Sequence, residues 1–144
     1  MHELAEFSPH HVFEIGCQLR GEDLEELFAH GFSNPFDGLY WSVNDSDDVQ
    51  TIYLDGVPVG LFGYQEDGEG GCQVWAMGSD EMISEPLSFQ RASKELRDQL
   101  LEQFSTLYNQ VYVRNTGHLK WLESLGAVFH PSDDPDFLYF EISK

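Results

Sequence analysis

The stretch from residue 111 to residue 129 constrains the fold of this chain more than any other part of the sequence. Residues 110–114 have the aromatic and β-branched composition of a strand. Asn115 or Thr116 is placed to cap the helix that follows, and Gly126 is placed to end it. Residues 127–129 then begin another strand. A strand, a short helix and a strand in succession predict a mixed α and β fold.

A long amphipathic helix is predicted just before this stretch. From Leu87 on, apolar residues recur at helical spacing, and the charged residues lie off the apolar stripe. The pattern predicts a helix of about five turns that packs on a sheet. The stripe consists of Phe89, Ala92, Leu96, Leu100, Phe104 and Leu107/Tyr108.

The middle of the chain predicts an antiparallel meander. Residues 50–54 and 57–64 flank Asp55-Gly56, a pair that permits the positive φ angles of a type I′ turn. A glycine-rich turn at residues 66–71 leads to a third strand at residues 72–77. The last strand is predicted at residues 137–142.

The N-terminal third predicts helices. Ser8 is expected to cap the first helix, with Pro9 at its first position, and a second helix is expected at residues 22–30. Residues 33–46 are rich in turn formers, and residues 39–41 could form a short strand within them. The apolar face of the first helix would consist of Val12, Phe13, Ile15, Gly16 and Leu19.

These elements predict one domain, residues 1–144, of the α/β (α+β) class. Its sheet would be mixed and mostly antiparallel, flanked by helices. A hydrophobic fraction of 41% is enough to build a core at this length.

Charge narrows the range of partners. Seven Lys and Arg residues stand against 26 Asp and Glu residues, which gives a net charge of −19. Such a surface repels nucleic-acid phosphates and anionic membranes, so we expect a protein partner and neither direct nucleic-acid nor membrane binding. Solubility alone could also explain the acidity.

No metal or disulfide motif is apparent. Cys17 and Cys72 stand alone, without the CxxC spacing of a metal site. Asp45, Asp47 and Asp48 lack the glycine and closing glutamate of an EF-hand loop, so we expect no metal. Without a signal peptide or an apolar run near ~18 residues, neither secretion nor a membrane span is expected.

The order of the predicted elements resembles the GNAT acetyltransferase fold. Residues 54–60 are similar to the central hairpin of that family, and Asn115 with Gly126 resembles its C-terminal helix between two strands. The resemblance implies that backbone N–H groups after the fourth strand could cradle the pyrophosphate of acetyl-CoA. Met77, Gly78 and Ser79 would then be the cofactor-binding residues.

A closer resemblance is to tailed-phage proteins with a GNAT-like domain, a group that includes the internal virion protein A of some podoviruses. It rests on the opening at residues 7–11, Phe-Ser-Pro-His-His, and on a C-terminal run. This resemblance implies a location in the phage virion or the host cytoplasm and a partner from phage or host. The run comprises Val111, Arg114, Asn115, Thr116, His118, Leu122 and residues 126–130.

Two departures argue against the usual chemistry of the GNAT family. The connection at residues 77–86 has one glycine and three acids, and carboxylates there would repel a pyrophosphate. The family's usual acid is a tyrosine, and Leu122 stands at its position and transfers no proton. We therefore expect no cofactor, with acetyl-CoA as the alternative. Asn115 and His118 remain candidates for catalysis only if the chain is an enzyme.

Three hypotheses for function follow. The first is a GNAT-like phage protein without acetyltransferase activity, acting in the virion, in assembly or by binding a host protein. The second is an N-acetyltransferase with a non-standard CoA site. The third is an acidic decoy that occupies the basic surface of a DNA-binding protein.

Trp41, Trp75 and Trp121 are interpreted as core or interface anchors.

Overall fold

A computed structural model describes residues 1–144 and contains one seven-stranded sheet and five α-helices. The strands are β1 (His2–Glu6), β2 (Asp48–Leu54), β3 (Val57–Glu66), β4 (Gly71–Gly78), β5 (Thr106–Tyr112), β6 (Val128–Pro131) and β7 (Phe137–Ser143). The helices are α1 (His10–Gly16), α2 (Gly21–Ala29), α3 (Pro35–Asp45), α4 (Pro86–Gln103) and α5 (Thr116–Ser124), and a 3₁₀ turn covers Asp80–Ile83.

The sheet has the strand order β1-β2-β3-β4-β5-β7-β6. Every neighbouring pair is antiparallel except β4 and β5, which are parallel. This mixed, mostly antiparallel sheet flanked by helices confirms the predicted fold class. The β2–β3 hairpin is also confirmed, with positive φ angles at Asp55 (51°) and Gly56 (85°).

Helices cover both faces of the sheet. Leu61 and Phe62 are neighbours in β3, so their side chains point to opposite faces. Leu61 belongs to a cluster with residues of α1, α2 and α3, whereas Phe62 belongs to a larger cluster with residues of α4 and α5. The N-terminal helices therefore occupy one face and the two C-terminal helices the other.

The short strand expected at residues 39–41 is wrong, because these residues lie in α3. The Asn34 side chain caps this helix by accepting a hydrogen bond from the Asp37 N–H at 2.9 Å. Pro35 occupies the first turn, where its missing donor costs nothing. Asn34 and Pro35, two of the turn formers in residues 33–46, therefore begin a helix.

Other boundaries also differ from the prediction. The long helix ends at Gln103, so Leu107 and Tyr108 do not belong to it. They belong to β5, which covers Thr106–Tyr112 instead of the predicted residues 110–114. Phe13 is 65% exposed, so it lies off the apolar face of α1. The Ser8 side chain does not cap α1, whose N-cap is Pro9.

The sequence patterns do not predict strand β1, which pairs with β2 at one edge of the sheet.

No helix of the structure combines the length and the apolarity that crossing a lipid bilayer requires.

Candidate functional site

The candidate site lies where β4 and β5 separate. These two strands pair only over Gly71–Gln73 and Thr106–Tyr108. Beyond that point a single side chain bridges them, since the Asn109 amide donates to the Val74 carbonyl at 3.0 Å. The backbone groups farther along both strands must therefore find other partners. Helix α2 supplies a partner for one backbone N–H at the end of each strand, in both cases a carboxylate.

Asp23 of α2 is the first of these carboxylates, and it is fully buried. Its Oδ2 accepts a hydrogen bond from the Gly78 N–H at the end of β4, at 3.0 Å. Its Oδ1 accepts from Asn115 Nδ2 at 3.0 Å and from Arg20 Nη1 at 3.2 Å. Arg20 is buried as well and also contacts the partly exposed Glu22. One carboxylate thus joins α2 to β4 and to the cap of α5.

Glu26 is the second carboxylate and lies one turn farther along α2. It is buried, and its Oε1 accepts from the Tyr112 N–H at the end of β5, at 2.7 Å. Burial raises the pKa of the Glu26 carboxyl to about 7, although the Tyr112 N–H opposes the shift. This group can therefore gain or lose a proton near neutral pH.

Asn115 and His118, the candidates for catalysis, meet around Asp23. Asn115 is fully buried, and its side-chain oxygen accepts from the His118 N–H at 3.4 Å, which confirms it as the cap of α5. His118 Nε2 lies 3.3 Å from Asp23 Oδ1 without the geometry of a hydrogen bond. Burial lowers the pKa of His118, and the nearby Asp23 only partly offsets this.

The three candidates for cofactor binding lie at the end of β4, where their backbone donors are in use. The Gly78 N–H binds Asp23, and the Ser79 N–H donates to the Val59 carbonyl at 2.9 Å. The Met77 side chain is buried in the cluster beneath α1–α3. A pyrophosphate would have to displace the protein's own acceptors from these amides.

A cavity of about 490 Å³ extends from the gap between β4 and β5 toward α3. Glu26, His118 and Leu122 contribute to its lining, together with side-chain amides of both strands. Its lining also includes four aromatic residues, Phe32, Trp41, Trp75 and Phe140. Leu122 is buried, and this position offers no proton donor.

Sequence reasoning missed Arg20, Asp23 and Glu26. A signal was present, because Asp23, Glu26 and Leu27 follow the i, i+3, i+4 spacing of a single helix face. Leu27 faces the core, so the two carboxylates on the same face are buried with it.

Comparison with known proteins finds similarity to both a phage family and acetyltransferases. The family model described as "Bacteriophage T7, probable scaffold protein Gp13" matches residues 49–132. The probable scaffold protein gp13 of Escherichia phage T7 is 34% identical over 113 residues, which cover 74% of this chain and 78% of that protein.

Solved acetyltransferases share the fold at low identity. A GNAT-family acetyltransferase from Bacillus anthracis superimposes with a TM-score of 0.72 at 11% identity, covering 99% of this chain and 94% of the other. Spermidine N-acetyltransferase from Vibrio cholerae, in complex with CoA and spermine, gives 0.71 at 13% identity, covering 99% and 95%. At such identities the likeness shows the fold alone, and it confirms the GNAT-like architecture.

Proposed function

Because this chain belongs to the phage family of the T7 probable scaffold protein Gp13, we propose that it is a virion-assembly protein without acetyltransferase activity. It acts by binding other phage proteins, in the host cytoplasm during assembly or in the particle itself. The relative's description as a probable scaffold protein supports this role. The GNAT-like fold then supplies a rigid shape for protein contacts.

One observation carries the non-catalytic half of the proposal: the Gly78 amide is already bound by the buried Asp23 carboxylate. An anionic cofactor at this amide would have to displace that carboxylate or sit beside it. Two anions a few ångströms apart at a partly buried site repel by about 4 kcal/mol. Leu122 removes the usual proton donor as well. Both features favour a protein that no longer uses acetyl-CoA.

Isothermal titration with acetyl-CoA and with CoA tests this half. We expect no heat of binding up to millimolar ligand. The spermidine N-acetyltransferase from Vibrio cholerae, whose structure contains CoA, serves as the positive control in the same buffer. Micromolar binding to this chain would refute the proposal and support a CoA-dependent acetyltransferase.

Genetic complementation tests the assembly half. A phage that carries a stop codon in the gene for this chain is grown on hosts with and without a plasmid copy. We expect the plasmid copy to restore infectious particles, and the particles made without it to lack further proteins by mass spectrometry. Complete, infectious particles without the chain would contradict a role in assembly. Arrest before any structural protein is made would instead indicate a host-directed role.

A further inference from the structure

The cavity between β4, β5 and α3 has a one-sided charge distribution. Its ionisable lining residues are Glu26, His30, Asp45 and His118, with no lysine or arginine among them. Burial lowers the pKa of both histidines. An anion entering this cavity would meet only acidic or neutral groups. The lining instead suits a cation.

The walls of the cavity suit a flat cation. Phe32 and Trp41 form a tilted pair, with 51° between the ring planes and 6.2 Å between the ring centroids. Trp75 is held in place by donating from Nε1 to Ser46 Oγ at 2.8 Å. Trp41 is 58% exposed, which leaves much of its ring free for a partner. Aromatic faces attract cations, and the guanidinium group stacks on them best.

One acceptor in the lining lacks a partner within the chain. In the buried Glu26 side chain, the Tyr112 N–H engages Oε1 only, so Oε2 is left for another donor. His118 Nε2 makes no hydrogen bond either, but it lies 3.3 Å from Asp23 Oδ1 and therefore faces a carboxylate. The carboxylate oxygens of a buried residue normally have hydrogen-bond partners, so Glu26 Oε2 indicates a missing donor.

We propose that this cavity binds an arginine side chain carried by an extended segment of a partner protein. Arginine fits better than lysine because its planar fork of donors can reach separate acceptors and its weaker hydration makes entry less costly. The volume of about 490 Å³ also admits the residues that flank the arginine. The net charge of −19 attracts a basic segment from a distance. The identification of the partner with an assembly protein rests on the proposed function. The binding of arginine in the cavity does not depend on it.

Short blocked peptides test the proposal on the full chain. The probes are acetyl-Gly-Arg-Gly-amide and its lysine and citrulline analogues, titrated by calorimetry and by the fluorescence of Trp41 and Trp75. Citrulline keeps the shape of arginine and removes its charge. We expect the arginine peptide to bind at least about tenfold more tightly than the citrulline peptide, with lysine between them. Equal affinity for arginine and citrulline would overturn the proposal.

Two matched pairs of variants localise the binding. Trp41→Ala is compared with Tyr40→Ala, which removes an exposed aromatic side chain of α3 that does not line the cavity. Glu26→Gln is compared with Glu25→Gln, a change of the same charge on the exposed side of α2. Glu26→Gln also keeps an oxygen for the Tyr112 N–H. We expect about tenfold weaker binding for the first member of each pair and less than a twofold change for the second.

Equal effects within each pair, in variants whose circular dichroism matches the wild type, would show attraction to the acidic surface in general and overturn the assignment to the cavity.

Sedimentation distinguishes a second copy of this chain from another protein as the partner. Self-association that the arginine peptide reverses would overturn the assignment to another protein. Loss of peptide binding in a variant that still complements assembly would refute the cavity as the assembly contact and leave the assembly role intact.

Discussion

Replacement of Asp23 by alanine is expected to destabilise the fold by about 4 kcal/mol. The change removes the acceptor shared by the Arg20 guanidinium, the Gly78 N–H and the Asn115 amide. Breaking a buried ion pair costs about 3–5 kcal/mol, because the remaining charge loses its partner. Each buried donor left without an acceptor adds about 1–3 kcal/mol. Glu22 remains beside Arg20, and water entering the vacated space can bind the two freed donors. We therefore expect the middle of the ion-pair range, about 4 kcal/mol, without a further cost for the donors.

Urea unfolding followed by tryptophan fluorescence and far-UV circular dichroism measures this loss. With a dependence of about 2 kcal/mol per molar urea, the midpoint should fall by about 2 M. Glu25→Ala is the matched control, since Glu25 is an exposed acid of the same helix. That control should change the free energy of unfolding by less than about 0.5 kcal/mol.

A double variant tests the electrostatic part of the argument. Arg20→Met combined with Asp23→Leu removes the buried charge along with its partner, and apolar replacement of a buried ion pair is often neutral. The double variant should therefore be about 2 kcal/mol more stable than Asp23→Ala alone. A single variant within about 1 kcal/mol of the Glu25→Ala control would refute the reasoning.

Three further predictions concern the same region. Glu26→Gln removes a carboxyl whose pKa burial raises from 4.5 to about 7. As the pH rises from about 4 to 8, the free energy of unfolding of the wild type should therefore fall by about 3 kcal/mol relative to that of the variant. Urea unfolding across this range measures the difference, and a difference that does not change with pH would contradict the prediction. Gly78→Ala places a Cβ 2.5 Å from the Val59 carbonyl oxygen and should lower the thermal midpoint by several degrees, whereas Gly21→Ala, with no atom within 4 Å, should not. Asn115→Ala removes both the cap of α5 and a bond to the buried carboxylate of α2, and should cost about 2 kcal/mol in urea unfolding; a loss below about 0.5 kcal/mol would show that water replaces both.

Local signals explain which elements could be predicted from the sequence. The Asp55-Gly56 turn, the apolar stripe of α4 and the cap of α5 each arise from residues close together in the chain. Strand β1 has no such signal, because residues 2–6 include two glutamates and are held by pairing with β2. The end of α4 was misplaced since the apolar spacing continues through Leu107, although the chain has already entered β5.

The candidate site was only half predictable. Asn115 and Gly78 were found because they occupy positions that the GNAT family uses. Asp23 and Glu26 were not, because an acid in a helix is usually solvated and their burial depends on partners in distant strands. Arg20 was not predicted either, because its burial depends on its ion pair with the Asp23 carboxylate.

The contacts of α2 also bear on the order in which the chain can fold. Asp23 reaches Gly78 across 55 residues and Asn115 across 92, and Glu26 reaches Tyr112 across 86. Contacts between such distant residues form late, because closing a long loop is entropically costly. On the ribosome, the contacts of Asp23 with Asn115 and of Glu26 with Tyr112 must therefore wait until residues 112–115 have emerged. Only then can α2 bridge the ends of β4 and β5, so chains truncated before residue 112 should lack this bridge.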